Sequence, residues 1–327
     1  MSIMKYGEAI RDGFRHLLEN HSDVFVMGQG LWSPWYVGSS MTNLEKDFGK
    51  SRVIDTPVSE GACTSAAIGA SLYGKKPIVV HPRMDFMLLA TDSIVNQAAK
   101  WSHMFGGQSH PSVTIRGIIN RGGEQGAQHS QSLQSWYSHI PGLRVVMPYT
   151  VADARDLLIA SVLSDDPVIY IDDRWLYDMQ EDLGPCLDSN LSEYKNKVIR
   201  KGSDITIAST SYGTKLALEA ANLLQKKNVN VEVIDLRILN PFDFGELNKS
   251  VLKTGRLLAV DISWKTCGIG SEVIARATEN ISINKWKSNP SRISLPDAPA
   301  PSSSKLEKIY YPDVTDVVEA VNKQINI

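Results

Sequence analysis

Cysteine is scarce in this chain: three residues among 327, Cys63, Cys186 and Cys267, lie far apart with no C-x-x-C pair. An odd, scattered set of thiols excludes a disulfide framework and a cysteine zinc site, and it suits a reducing, cytoplasmic compartment. Net charge is equally scarce, because 34 Lys and Arg stand against 36 Asp and Glu and leave −2. Without a positive surplus there is no field to gather a polyanion, so neither nucleic acid nor an anionic membrane is an expected partner. No apolar run is long enough to cross a bilayer, and the opening MSIMKYGEAIRDGFRHLLENH mixes charges with helically spaced apolar residues, unlike a signal peptide.

Several reaction classes are missing too. There is no G-x-S-x-G nucleophile turn and no H-E-x-x-H zinc helix. GQG at 28 to 30 and GIG at 268 to 270 lack the third glycine of a dinucleotide fingerprint. GASLYGKK at 69 to 76 precedes a strand instead of following one, and it ends in lysine where a P-loop needs Ser or Thr.

What is present is an ordinary globular composition, 43% hydrophobic and 21% charged, long enough for two cores. Short β-branched runs, DVFVMG (23 to 28), KPIVVHP (76 to 82), SVTIRGII (112 to 119), LRVVMP (143 to 148) and PVIYID (167 to 172), alternate with helix-like segments at 59 to 74, 88 to 101 and 151 to 164. That alternation predicts a parallel sheet with helices on its faces. From about 178 to 202 the pattern gives way to polar, turn-prone sequence, and a second series follows with strands at 204 to 210, 229 to 237, 256 to 263 and 292 to 297. Helical spacing recurs at 212 to 227, 269 to 279 and 314 to 325, and PDAPAPSSSK (296 to 305) reads as a surface loop.

Three places carry chemistry. Glu60 sits at a strand-to-helix junction ahead of Gly, Ala, Ser and Thr, where a carboxylate either steadies a helix start or faces a ligand. Phe86 follows the second of these runs at the end where open α/β sheets bind ligands, although an aromatic there is commonly core. RGGEQGAQHSQS (121 to 132) is a Gly-rich loop ending in His129, a composition suited to close backbone approach and proton transfer near neutral pH, though a lone histidine is more often a surface residue.

Taken in order, RVIDTPVSE, MDF, DSIVNQAAK, GAQHSQS, IPGLRVVMP, DDPVIY, VEVIDLR and LPDAPAP resemble the beta subunit of 2-oxo acid dehydrogenases of the pyruvate, branched-chain and acetoin type, over nearly the whole chain. The resemblance implies an α/β fold of two doubly wound domains: a transketolase-like pyrimidine-binding domain over 1–185, a linker over 186–202 and a transketolase C-terminal-like domain over 203–327. It implies thiamine diphosphate shared with an alpha-type subunit that carries the diphosphate and Mg2+ motif, G-D-G and a distant Asn, in an α2β2 heterotetramer. No G-D-G occurs in this sequence. It also implies a small 2-oxo acid as substrate and a lipoyl-bearing acyltransferase as acceptor.

Residue by residue, Glu60 matches the glutamate that shares a proton with the aminopyrimidine ring and so activates the thiazolium carbon, with burial keeping that proton available. Phe86 matches the aromatic that packs on the pyrimidine, where stacking adds roughly 0.5 to 1.5 kcal/mol. Val58 and Met84 are expected beside the same ring. His129 matches the histidine at the substrate end, with Gln131 nearby. Val113, Ser161, Val162, Ser164 and Asp166 match a structural potassium site made mainly of backbone carbonyls. VVHPRMDF departs from the family by placing His81 and Arg83 beside the pocket, where a cation either favours an anionic or phosphorylated substrate or turns outward. GQGLWSPWYVG (28 to 38) replaces an acidic G-E-D, with Trp32 and Trp35 at the entrance or subunit interface, and WKTCGIG (264 to 270) replaces H-R-T-G-G-F-G. The added cations keep open a second enzyme of the same cofactor, a split transketolase or carboligase with a sugar or aldehyde acceptor. A non-catalytic scaffold of the same fold is the third reading, opposed by Glu60, Phe86 and His129 standing together.

Overall fold

The computed structural model describes residues 2–325; Met1, Asn326 and Ile327, the outer ends of the two expected domains, lie outside the description. The chain divides into two compact units, Met1–Asn120 with Trp136–Tyr194, and Arg121–Ser135 with Lys195–Ile327. The Gly-rich loop therefore groups with the second unit, although the sequence reading drew the first domain as one stretch through 185.

In the first unit the strands are β1 (Val24–Gly28), β2 (Val53–Asp55), β3 (Lys76–His81), β4 (Thr114–Ile119), β5 (Arg144–Val146) and β6 (Val168–Asp173). They pair in parallel in the order β5-β6-β4-β3-β1-β2. β4 and β6 are buried along their whole length and β3 from Pro77 onward, as expected where helices cover both faces of a parallel sheet. The chain winds from β1 out to β2 and then crosses back to β3, so the winding reverses between β1 and β3. Open α/β sheets bind ligands at such a reversal, outside the carboxyl ends of the strands.

An ionic group is enclosed in this unit. The Arg116 guanidinium, fully buried, donates from Nε and Nη2 to the two oxygens of Asp172 at 2.8 and 2.9 Å, from Nη1 to Ser40 at 3.0 Å and from Nη2 to the Tyr177 hydroxyl at 2.8 Å. A bidentate pair with its remaining donors satisfied is the arrangement in which burying two charges is tolerated.

The second unit contains β7 (Lys197–Arg200), β8 (Ile205–Ser209), β9 (Val231–Asp235), β10 (Leu257–Trp264) and β11 (Ser291–Leu295), in the order β7-β9-β8-β10-β11. All neighbours are parallel except β7, which closes one edge antiparallel to β9. Both sheets are doubly wound, as the sequence predicts. The helices Tyr212–Gln225, Ile269–Asn280 and Val314–Ile325 fall where helical spacing placed them.

Three local differences have physical causes. The helix Gly245–Thr254 went unread, since Gly245 and Asn248 dilute its propensity. The polar stretch from 178 is structured: Gln180–Leu183 pairs antiparallel with Ser2–Lys5, and β7 lies further on. The expected helix over 88 to 101 is a 3₁₀ turn, Met84–Ala90, then a π-helical turn, Ser93–Ala98, then a short α-helix, Ala99–Met104. π-helical turns are rare and gather at functional sites.

Candidate active site

The carboxyl ends of β1 and β3 open into a small crevice whose walls include Gln29, Thr56, Glu60, Cys63, His81 and Pro82. Its volume, about 20 Å³, leaves room for roughly a single water. Gly28 makes this closeness possible: a Cβ there would fall 2.4 Å from the Val80 carbonyl oxygen, so any other residue would push the strands apart. The loop after β1 is tied to the end of β2 by Asp55, whose Oδ1 accepts from the Gly30 and Leu31 amides at 2.6 and 3.2 Å.

Glu60 is the first residue of the helix Glu60–Ser71 and is half-exposed, its carboxylate at the helix end where negative charge is favoured. The turn Met84–Ala90 presses on this helix, since a Cβ on Gly61 would come within 3.0 Å of the Leu89 carbonyl oxygen. Phe86 on that turn is half-exposed. Val58, two residues before Glu60, and Leu89, on the turn against Gly61, are 69% and 67% exposed.

One expectation is corrected here. His81 is not a cation at the pocket: it is 3% exposed, its Nε2 lies 3.3 Å from the Thr64 hydroxyl, and burial pushes its pKa down to about 4. The imidazole is neutral near pH 7, and the sequence could not show that β3 stays buried to its last residue. Met84 is fully buried, packed against Gly117 of β4. Arg83 remains near the surface, half-buried, and burial followed by the nearby Arg174 guanidinium lowers its pKa from the usual arginine value. Trp35 is 72% exposed, whereas the Trp32 indole donates to the Val53 carbonyl at 2.9 Å.

His129 and Gln131 belong to the second unit, where both are half-buried. Their loop is fixed at both ends by contacts that sequence reasoning missed. Buried Arg121 donates to the Ile262 carbonyl at 2.8 Å, and Gln134, fully buried, accepts from Ser132 and donates to Asp261 Oδ1, each at 2.7 Å. Asp261 also accepts from Thr210 at 3.2 Å and Ser263 at 2.6 Å. At the loop tip the Glu124 amide donates to Glu307 at 2.8 Å. The buried Ser-x-Gln following the histidine was the one available signal.

The residues matched to a potassium site cluster around the end of the helix Val151–Leu163. The carbonyls of Val113 and Ser161 accept from the Val168 and Ser164 amides at 2.9 and 3.3 Å, and Asp166 pairs with Arg144 at 2.6 Å. The Lys76 ammonium already stands 3.4 Å from the Leu163 carbonyl. Each carbonyl keeps a lone pair, so the oxygens fit a cation in kind.

Comparison with known proteins agrees with this geometry. Residues 2–179 match the family model described as the transketolase pyrimidine binding domain, and residues 195–317 match the transketolase C-terminal domain. A solved structure titled as a split gene transketolase, inactive beta4 tetramer, superposes with a TM-score of 0.79 over 99% of this chain and 98% of its own at 20% identity, a likeness of fold. Fold and family models together define a transketolase-like protein of the thiamine-diphosphate-dependent class. The pyruvate dehydrogenase E1 component subunit beta of Rickettsia bellii is 37% identical over 97% of each chain. That of Rhizobium meliloti is 36% identical over 98% of this chain and 70% of its own, and the mitochondrial one of Saccharomyces cerevisiae is 35% identical over 99% and 89%. The chain belongs to the pyruvate dehydrogenase E1 beta-subunit family, components of a heteromeric thiamine-diphosphate-dependent oxidoreductase complex.

Proposed function

We propose that this chain binds the aminopyrimidine half of thiamine diphosphate at the crevice between β1 and β3. We propose further that it catalyses decarboxylation of a 2-oxo acid together with an alpha-type partner. One observation carries the reading: Glu60 stands at the winding reversal of the first sheet, half-exposed, beside the apolar Val58 and Leu89. A carboxylate at a glycine-pressed junction with apolar surface alongside fits a flat heteroaromatic ring whose nitrogen needs a hydrogen-bond partner. When bound, the cofactor supplies the nucleophilic carbon and the electron sink for decarboxylation.

Glu60 holds and exchanges a proton with a ring nitrogen, Phe86 packs on the ring face, and buried Met84 backs the turn that carries Phe86. His129, on its braced loop, engages the substrate carboxylate or moves a proton as the acyl fragment leaves, with Gln131 beside it. The exposed rim supports a partner that covers Val58 and Leu89 and completes the exclusion of water. Diphosphate and Mg2+ fall to that partner, and a lipoyl domain receives the acyl fragment. Val113, Ser161, Val162, Ser164 and Asp166 would take potassium as a structural ion. A reducing compartment, bacterial cytoplasm or mitochondrial matrix, suits the three free thiols. The second reading, a sugar or aldehyde acceptor, loses half its motive because His81 is buried and neutral.

The test is to isolate the chain from its native cells and identify what accompanies it. A stoichiometric partner containing G-D-G and a distant Asn, and lipoamide reduction by the pair with a 2-oxo acid, are expected. A homo-oligomer that binds no thiamine diphosphate would overturn the proposal.

A further inference from the structure

Away from the crevice, three ligand-type side chains converge at the end of the helix Tyr6–Asn20. His16 lies in its last turns, His21 is the residue that ends it, and Asp188 comes from the segment after the strand Gln180–Leu183. His16 Nε2 is 2.8 Å from Asp188 Oδ1, and His21 Nε2 is 3.2 Å from each oxygen of the same carboxylate. The three ligand atoms all lie within 4.8 Å of one another. Among the described residues this is the one group of three or more His, Cys, Asp or Glu with such spacing. Nothing in the proposed reaction uses it.

We propose that His16, His21 and Asp188 form a binding site for a divalent transition metal of the zinc type. Two imidazoles and one carboxylate are the donors such ions prefer, with a water left to complete four-coordination. Ligand bonds of about 2.0 to 2.1 Å in a tetrahedron put ligand atoms roughly 3.3 Å apart, so the two imidazole–carboxylate contacts open by about 0.5 Å or less, and the two imidazole nitrogens, within 4.8 Å of each other, close onto the ion. The site is framed by independent anchors on both sides. Arg52 Nη2 donates to the His21 carbonyl at 2.9 Å and the Leu18 carbonyl at 3.2 Å, which fixes the end of the helix. Arg155 Nη1 donates to the Gly184 carbonyl at 2.7 Å, and the Cys186 thiol donates to Asp12 at 3.0 Å, which fixes the approach to Asp188. The Cys186 thiol is turned to Asp12 and lies outside the group of three. The Asn20 amide nitrogen donates to the His16 carbonyl at 2.8 Å and lies 3.3 Å from His16 Nδ1. The bound ion clamps the segment 184–190 to the first helix.

The experiment titrates Zn2+ into the full-length, tag-free chain against a chromophoric chelator and counts bound metal by native mass spectrometry. One tight equivalent is expected, weakened at least tenfold in His16→Gln, in His21→Gln and in Asp188→Asn, and retained in Cys186→Ser. Zinc should raise the melting temperature of the parent chain and not of the three variants. Asp188 is about half exposed, so Asp188→Asn keeps the test valid if a histidine variant folds poorly. Zinc bound equally tightly by all three variants, or no tight equivalent in the parent, would overturn the proposal.

Discussion

Replacing His81 by glutamine should change how the protein responds to acid. In the folded chain burial lowers the His81 pKa to about 4, against an ordinary value of 6.5. The fold therefore admits the neutral imidazole only. Between about pH 6.5 and 4 the unfolded chain takes up a proton that the folded chain refuses, so His81 contributes its full share of stability above 6.5 and loses it as the pH falls toward 4. One proton excluded over that interval is worth about 3 kcal/mol in all, and about 2 kcal/mol of it is lost by pH 5. Glutamine does not titrate, and its amide can still reach Thr64. The parent should therefore be the more stable protein, or the equal, near pH 7.5, and should lose about 2 kcal/mol relative to His81→Gln on going to pH 5. Urea unfolding of both proteins across this range measures the difference, with every other titrating group cancelling between them. NMR titration of the labelled imidazole reads the same pKa directly. Parallel stability curves, or an imidazole that titrates near 6.5, would refute the assignment and restore His81 as a cation beside the pocket.

Glu60→Gln should reduce turnover of the complex with its partner by about 10²- to 10⁴-fold, the usual range for a lost proton-transfer group, while size-exclusion chromatography shows assembly unchanged. Residual activity within tenfold of the parent would remove Glu60 from its role. Arg116→Met should destabilise the first unit by about 3 to 5 kcal/mol because Asp172 is left buried and unpaired, and adding Asp172→Leu should recover most of that in urea unfolding. Gln134→Ala should cost about 1 to 3 kcal/mol by stripping partners from Ser132 and Asp261. Hydrogen exchange should then speed up at residues 122 to 131 and stay unchanged in β1 through β6; a uniform change across both units would contradict the bracing role.

The readable part of the fold was the part governed by short-range chemistry. Runs such as KPIVVHP and SVTIRGII are apolar on both sides of the strand, which is what a parallel sheet covered on both faces requires, and their order with the helices between them determined the class. Glu60 was legible for the same reason: the change from VIDTP to EGACTSAA marks a strand end and a helix start within a few residues, and in this fold that junction is where ligands go. The turn after β3 was harder, because a 3₁₀ turn running into a π-helical turn has no periodicity of its own.

Where the reading failed, the deciding contacts were long in sequence. Residue type announced His81 as a potential cation, yet its charge is decided by which groups enclose it, and a strand end gives no local clue to that. The loop carrying His129 lies within the segment matched to the pyrimidine binding domain, yet the bond that holds it, Gln134 to Asp261, spans 127 residues and groups it with the second unit. His16 and His21 bear no motif, and the carboxylate that joins them is 167 residues beyond His21. These three cases share one cause. A buried or bridged polar group is specified by its partners, and when those partners come from distant segments the sequence displays the group without its chemistry. Ordered family motifs partly overcome this, since they carry the pattern of a shared fold, and that is why Glu60 and Phe86 could be named from the sequence. His81 and Arg83 are departures from the family, and at departures only the folded chain can decide whether a charge faces the ligand or is silenced by burial.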